Sequence, residues 1–247
     1  MSEPRLYGLI GSSLKHSFSE QFFTEKFKSE NIAASYRNVE IKDASELGQF
    51  FNDLPPFNGL NVTFPYKEEV MPYLDEINEN ARDIGAVNVI GFKNGLKIGY
   101  NTDASAFAES MRHTTLIKDK TALILGTGGA SKAVAFALKH LNIPFEFVSR
   151  TAHGIPGFKT YDELKNEGLS TYGLIVNCTP LGTFPNGESV VDLNFDDVNS
   201  QHFLYDLVYN PELTLFLKYG VERDARIKNG SAMLKFQAEL SWLLWNQ

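Results

Sequence analysis

The 247-residue sequence predicts an α/β protein of two domains, each built on a mainly parallel sheet. Three observations predict it. Short β-type runs alternate with helical segments along the first hundred residues, the pattern of a layered α/β domain. A second such cycle opens near Lys120. At roughly 150 residues per domain, the length falls between one domain and two.

Residues 5–10 read as a strand ending at Gly11, and residues 17–30 as a helix whose Phe18, Phe22, Phe23 and Phe27 form an apolar stripe. A strand at 36–41 and a short helix at 43–54 follow, the helix stopped by Pro55-Pro56. Residues 59–63, 86–90 and 97–101 are further strands, the last two joined across Asn94-Gly95, a type I′ hairpin signal. In the second cycle, strand 121–125 breaks at Gly126-Thr127-Gly128-Gly129. The helix after it carries Ala130, Val134, Ala137, Leu138 and Leu141 on one face and stops before Pro144. Strands at 145–149, 173–177 and 203–208 continue the alternation, and 231–245 is a helix. The boundary is expected near residues 103–119.

Composition excludes several classes. With 43% apolar and 21% charged residues the chain is neither disordered nor fibrous. Twenty-three basic against 30 acidic residues give −7, which argues against a nucleic-acid surface. The longest apolar run, from Ala133 to Leu138, is far short of the ~20 residues that span a membrane. No secretory signal is read at the start, so a soluble, cytoplasmic protein is expected. Cys178 has no disulfide partner, and His16, His113, His140, His153 and His202 form no metal-ligand pair, so no metal is expected. Cys178 reads as a packed residue, His16 as a loop histidine, and Trp242 and Trp245 as anchors of the last helix.

The strand, glycine-rich turn, helix and strand after Lys120 span about 30 residues, as Rossmann-type dinucleotide-binding units do. Gly126 permits the tight turn, and Gly128 lets backbone approach a pyrophosphate lying on the helix N-terminus. Glycines also end strands for structural reasons alone, so the flanking strand and helix are the necessary context. Arg150 follows Gly126 by 24 residues, where an NAD-binding chain would carry a carboxylate. An arginine there suits the 2′-phosphate of NADP.

The densest polar chemistry precedes that unit. Ser17 and Ser19 offer hydroxyls, Asn61 and Thr63 share a strand face, and Lys67 lies in the turn beyond. Asn88 and Asp103 add an amide and a carboxylate at strand ends. Neutral hydroxyls and amides with one Lys and one Asp suit a polyhydroxylated small molecule. The lysine can give a proton to a carbonyl oxygen as hydride arrives. Each residue alone is more often a turn former or cap than a ligand.

Together these segments carry a resemblance. S-x-S at 17–19, N-V-T-x-P-x-K at 61–67, G-A-V-N at 85–88, N-T-D at 101–103 and G-x-G-G-A at 126–130 are followed by three more motifs. These are N-x-T-P-L-G at 177–182, Tyr209-Asn210-Pro211-x-x-Thr214, and M-L-x-x-Q-A at 233–238. Their identity and order resemble the shikimate dehydrogenase family along nearly the whole chain. The resemblance implies NADP-dependent, reversible reduction of 3-dehydroshikimate to shikimate, a step of aromatic amino-acid biosynthesis. It implies Lys67 and Asp103 as the catalytic pair, and Ser17, Ser19, Asn61, Thr63, Asn88, Tyr209 and Gln237 around the substrate. Gly126, Gly128, Gly129 and Ala130 resemble the pyrophosphate turn, and Ser149, Arg150 and Thr151 the adenosine-phosphate clamp. Thr179, Leu207 and Gly230 match positions on the nicotinamide side. It further implies a substrate domain of residues 1–103 plus 231–247, a nucleotide domain of 104–230, and a monomer or homodimer with no partner besides its small-molecule ligands.

Four departures accompany the likeness. Glu20 stands where proline is usual, Val89 where threonine is usual, and Ser149 where asparagine is usual. The stretch 151–172 is short and carries His153-Gly154 where a second basic residue is common. Two rivals follow: an NAD-dependent quinate/shikimate dehydrogenase, and a nucleotide-binding regulator without turnover.

Overall fold

The run from Tyr7 to Gly11 is buried throughout because β1 (Arg5–Gly11) has a neighbouring strand on either side. The computed structural model describes residues 4–15, 17–115, 120–151 and 154–247; His16 and His153 fall outside them. The chain divides into two units: the stretch to Thr102 with Gln237–Gln247, and Asp103–Phe236.

In the first unit, α1 (Phe18–Ser29) buries Phe23 and Phe27, and Ser17 is its N-cap. The edge strand β2 (Ala34–Glu40) pairs parallel with β1. α2 (Glu46–Asn52) is shorter than the sequence suggests, because the Asp43 carboxylate accepts from the Ser45 amide (2.9 Å) and turns the chain first. β3 (Gly59–Val62) lies parallel on the other side of β1. The two-residue β4 (Glu76–Ile77) precedes α3 (Glu79–Ile84), which ends at Gly85 with φ 72°.

The strand expected at 86–90 forms later, as β5 (Val89–Lys93). Ala86, Val87 and Asn88 instead send their amides to Ala81, Lys67 and Tyr100 carbonyls. β6 (Leu96–Tyr100) returns antiparallel across Asn94 and Gly95, both at positive φ. The first sheet is therefore mixed, in the order β2-β1-β3-β5-β6-β4, with β5 antiparallel to both neighbours.

The second unit opens with α4 (Asp103–Met111). β7 (Thr121–Leu125), α5 (Gly129–His140) and β8 (Phe145–Ser149) then form the strand-turn-helix-strand unit. β9 (Phe158–Thr160) runs into α6 (Tyr161–Glu167), whose start is a reciprocal capping box between Thr160 and Glu163. β10 (Tyr172–Asn177), β11 (Phe203–Asp206), α7 (Leu215–Val221) and β12 (Arg226–Lys228) complete it before α8 (Ser231–Trp245). This sheet is wholly parallel, ordered β12-β11-β10-β7-β8-β9. Its core packs Leu123, Leu125, Val148, Ile175, Leu204 and Phe216.

From Gln237 onward α8 belongs to the first unit. Trp245 stacks on Tyr7, with ring centroids 4.9 Å apart, and its indole N–H donates to the Ile90 carbonyl (3.1 Å). A Cβ at Gly59 would lie 2.4 Å from the Trp245 ring, so that strand position admits no side chain. Among the described residues no helix is long and apolar enough to cross a membrane.

Candidate active site

A strand residue with a polar side chain inside an apolar unit needs a partner, and in the first unit these partners form one connected network. The Tyr36 phenol donates to Asn61 Oδ1 (2.8 Å), and Ser19 bonds to the same phenol. Burial pushes the Tyr36 hydroxyl well above its ordinary range, so it stays a neutral donor. Asn61 Nδ2 donates to Ser241 Oγ (2.9 Å) and to the Asn88 carbonyl (3.3 Å), and Ser241 Oγ donates to the Gln237 carbonyl (2.7 Å). The Thr102 amide donates to Asn88 Oδ1 (2.7 Å), while Asn88 Nδ2 donates back to Thr102 Oγ1 (2.9 Å).

Ser19, Asn61, Asn88 and Gln237 are thereby brought together, all buried. Asn61 is only 3% exposed and commits both amide hydrogens inside the unit, so it organises this cluster more than it faces outward. Tyr36, Thr102 and Ser241 were not singled out from sequence. Only Ser241 carried a signal, a hydroxyl within the otherwise apolar Leu240-Ser241-Trp242-Leu243-Leu244; Tyr36 and Thr102 lie in polar stretches.

Ser17 caps α1, its hydroxyl accepting from the Glu20 amide (3.4 Å). Glu20, at the position where proline is usual, uses its carboxylate to accept from Asn38 Nδ2 (2.7 Å). Thr63 lies just past β3 and donates its amide to the Ile10 carbonyl (2.9 Å). Gly11 leaves room for it, since a Cβ there would sit 2.7 Å from Thr63 Cγ2. Lys67 is half-buried, and its carbonyl accepts from the Val87 amide (2.7 Å). That bond joins the N-V-T-x-P-x-K segment to G-A-V-N. Val89 is fully buried opposite Asn61 in the ladder, a core position.

In the second unit the strand order reverses between β7 and β10, and in open α/β sheets ligands bind outside the strand carboxyl ends at such a point. Gly126 leaves β7 at φ 107°, a conformation suited to glycine, and a Cβ on it would lie 3.3 Å from Thr179 Cγ2. Gly128 is the N-cap of α5 and offers no side-chain cap, and the first turn holds no acidic residue. A Cβ at Gly128 would meet nothing within 4 Å. Gly129 and Ala130 begin the helix there. The Ser131 hydroxyl in the same turn is buried without a hydrogen-bond partner.

Open amides, a positive helix end and clear space above it fit the pyrophosphate of a dinucleotide. At the end of β8, Ser149 Oγ donates to the Thr151 carbonyl (2.8 Å) and accepts from its amide (3.1 Å), while Arg150 is exposed. No carboxylate stands among these three, so the residues present fit a 2′-phosphate.

Thr179 and Leu207 are held from beneath. The Asn177 carbonyl accepts from the Leu207 amide (3.0 Å), and Asn177 Oδ1 accepts from the Thr179 amide (3.0 Å) and hydroxyl (2.7 Å). Asn177 Nδ2 donates to Asp206 Oδ1 (2.9 Å), which also accepts from the Val208 amide (3.0 Å). Thr214 Oγ1 donates to Asp206 Oδ2 (2.5 Å). Burial raises the Asp206 carboxyl to about 6, against these three hydrogen bonds, which lower it. Gly230 abuts Leu207, whose carbonyl oxygen would be 2.0 Å from an added Cβ.

Asp103 is buried at the start of α4, and Tyr209 is half-buried beyond β11. Both fall in the second unit.

A buried polar cluster in one α/β unit and a glycine-rich turn opening a helix in the other are the architecture of a nucleotide-dependent dehydrogenase of two units. Comparison with known proteins makes this particular. The family profile for the shikimate dehydrogenase substrate binding domain matches residues 9–90. A shikimate dehydrogenase (NADP(+)) of Carboxydothermus hydrogenoformans is 39% identical, the alignment covering 98% of this chain and 92% of that protein. Shikimate dehydrogenase 1 of Peptoclostridium difficile is 33% identical, with a TM-score of 0.88 over 98% of this chain and 92% of that one. A shikimate 5-dehydrogenase of Thermus thermophilus, solved with NADP(H) and shikimate, is 27% identical, with a TM-score of 0.84 over 98% and 93% of the two chains. The chain belongs to the shikimate dehydrogenase family.

Proposed function

We propose that this protein catalyses the reversible, NADP-dependent reduction of 3-dehydroshikimate to shikimate, the step it would contribute to aromatic amino-acid biosynthesis. The observation that carries this reading is the 39% identity, along 98% of the chain, to a relative named for that activity and cofactor.

NADPH, when bound, supplies the hydride that adds to the ketone carbon. Gly126, Gly128, Gly129 and Ala130 would hold its pyrophosphate through backbone amides. Ser149, Arg150 and Thr151 would hold the 2′-phosphate, and Thr179, Leu207 and Gly230 would line the nicotinamide side. Lys67 gives a proton to the carbonyl oxygen as the hydride arrives, so that C=O becomes CH–OH and the lysine is left neutral. Asp103 works with Lys67 by fixing its position and returning the proton. Ser17, Ser19, Thr63, Asn88, Tyr209 and Gln237 would bind the carboxylate and hydroxyls of the substrate, with Asn61 fixing Asn88 from behind. A cytoplasmic location and a monomeric or homodimeric state belong to the same reading.

Replacing Lys67 by Ala tests it. Turnover should fall by about 10²-fold or more, the scale of a lost general acid, with NADPH binding intact. Normal turnover in Lys67→Ala would remove the role given to that residue.

A further inference from the structure

Asp206 lies in none of the ligand contacts assigned above, yet it is the most deeply placed carboxylate among the described residues of the second unit, with no exposed surface. Each of its hydrogen bonds leads to a segment at the carboxyl end of the sheet. Asn177 Nδ2 ties it to the end of β10, the Val208 amide to the chain leaving β11, and Thr214 Oγ1 to the residue that caps α7. Through Asn177 the same carboxylate orients the acceptor that holds the Thr179 amide and hydroxyl. Leu207 is fixed by the same asparagine through its carbonyl, and from the other side by Gly230 packed on its backbone.

We infer that Asp206 is a positioning residue for hydride transfer: acting through the Asn177 side chain, it sets the placement of Thr179, next to Leu207, on the nicotinamide side of the nucleotide site. The inference rests on the proposed dehydrogenase reading. A planar carboxylate with two oxygens can serve three donors at fixed directions, which an apolar side chain cannot. Because hydride transfer depends steeply on donor–acceptor placement, a shift of about 1 Å at the lining residues can cost about 10²-fold in rate. The adenosine half of the cofactor, held at the end of β8, would be untouched.

The test compares Asn177→Ala, Asp206→Asn and Asp206→Ala with the unaltered protein, measuring kcat for shikimate with NADP and the Kd of 2′,5′-ADP. Asn177→Ala cuts the link to Thr179 and should lower kcat by about tenfold or more, with 2′,5′-ADP affinity within about twofold. Asp206→Asn keeps an oxygen for Asn177 and Val208 and should restore kcat to within about threefold of the unaltered protein. Asp206→Ala should behave as Asn177→Ala or worse; should it not fold, the other two decide. Wild-type kcat in Asn177→Ala, or loss of 2′,5′-ADP affinity in proportion to kcat, would overturn the inference. An unaltered protein that shows no shikimate-dependent NADPH formation would overturn the dehydrogenase reading and this inference with it.

Discussion

Gly128 and Asp206 each sit where local stability and ligand chemistry pull in different directions. At Gly128, φ −81° and the free space around a Cβ mean that aspartate fits without strain. Aspartate is a strong N-cap, and its charge at the helix start is worth about 0.3–1 kcal/mol. Under the proposed reading it would also occupy the place of the pyrophosphate. Gly128→Asp should therefore hold or raise the melting temperature while weakening NADPH binding about tenfold or more, by charge repulsion at the site. Thermal denaturation with a fluorescence titration checks both; unchanged affinity would contradict the assigned turn.

Asp206 carries a pH dependence of opposite sign to the usual carboxylate. Its folded value, about 6, lies above the 3.8 of the free group. Its contribution to stability is therefore full below pH 3.8 and is lost as pH rises through about 6. The interval corresponds to about 3 kcal/mol. Asp43, Asp75 and Glu163, lowered by local hydrogen bonds, shift stability the other way. The difference between the unaltered protein and Asp206→Asn in urea denaturation should therefore narrow toward pH 4 and widen toward pH 7 in the variant's favour. A difference independent of pH would refute the raised carboxyl. Lys67 and Arg150 were legible in the sequence because cations at motif ends stand out. Asp206 and Ser241 were not, since each lies within an apolar run, nor was Tyr36, because the role of all three depends on partners distant in sequence.

Among the elements, those with a strong period or punctuation were readable. The hairpin at Asn94-Gly95, β7, β8 and α8 follow from two-residue turns, glycine breaks and a long apolar helix. The two- and three-residue strands β4, β9 and β12 were not readable, because so short a run carries no period. The strand expected at 86–90 was displaced by the left-handed cap at Gly85, a tertiary outcome of how α3 ends. The return of the last helix to the first unit is likewise invisible to local pattern. Its physical trace is Gly59, kept free of a side chain beneath Trp245. Gly59→Ala should thus destabilise the protein by about 1–3 kcal/mol, the cost of overpacking a filled core. Urea denaturation followed by tryptophan fluorescence measures it; a stability equal to that of the unaltered protein would mean Trp245 is not so tightly seated.

At the scale of the whole molecule, charge and chemistry diverge. The formal charge is −7, yet 3-dehydroshikimate and NADP are both anions. Under the proposed reading recognition is local: Lys67 in one unit, and in the other Arg150 with the N-terminus of α5. On the same reading Arg150, beside Ser149 in place of asparagine, is the main discriminator between NADP and NAD. The rival reading as an NAD-dependent quinate/shikimate dehydrogenase differs in cofactor and in substrate, and a regulator without turnover would have no use for an acid/base lysine. The most direct test is a steady-state panel on the purified protein, pairing shikimate or quinate with NADP or NAD. The account predicts the highest kcat/KM for shikimate with NADP. A higher value for quinate with NAD, or no shikimate-dependent NADPH formation, would contradict it.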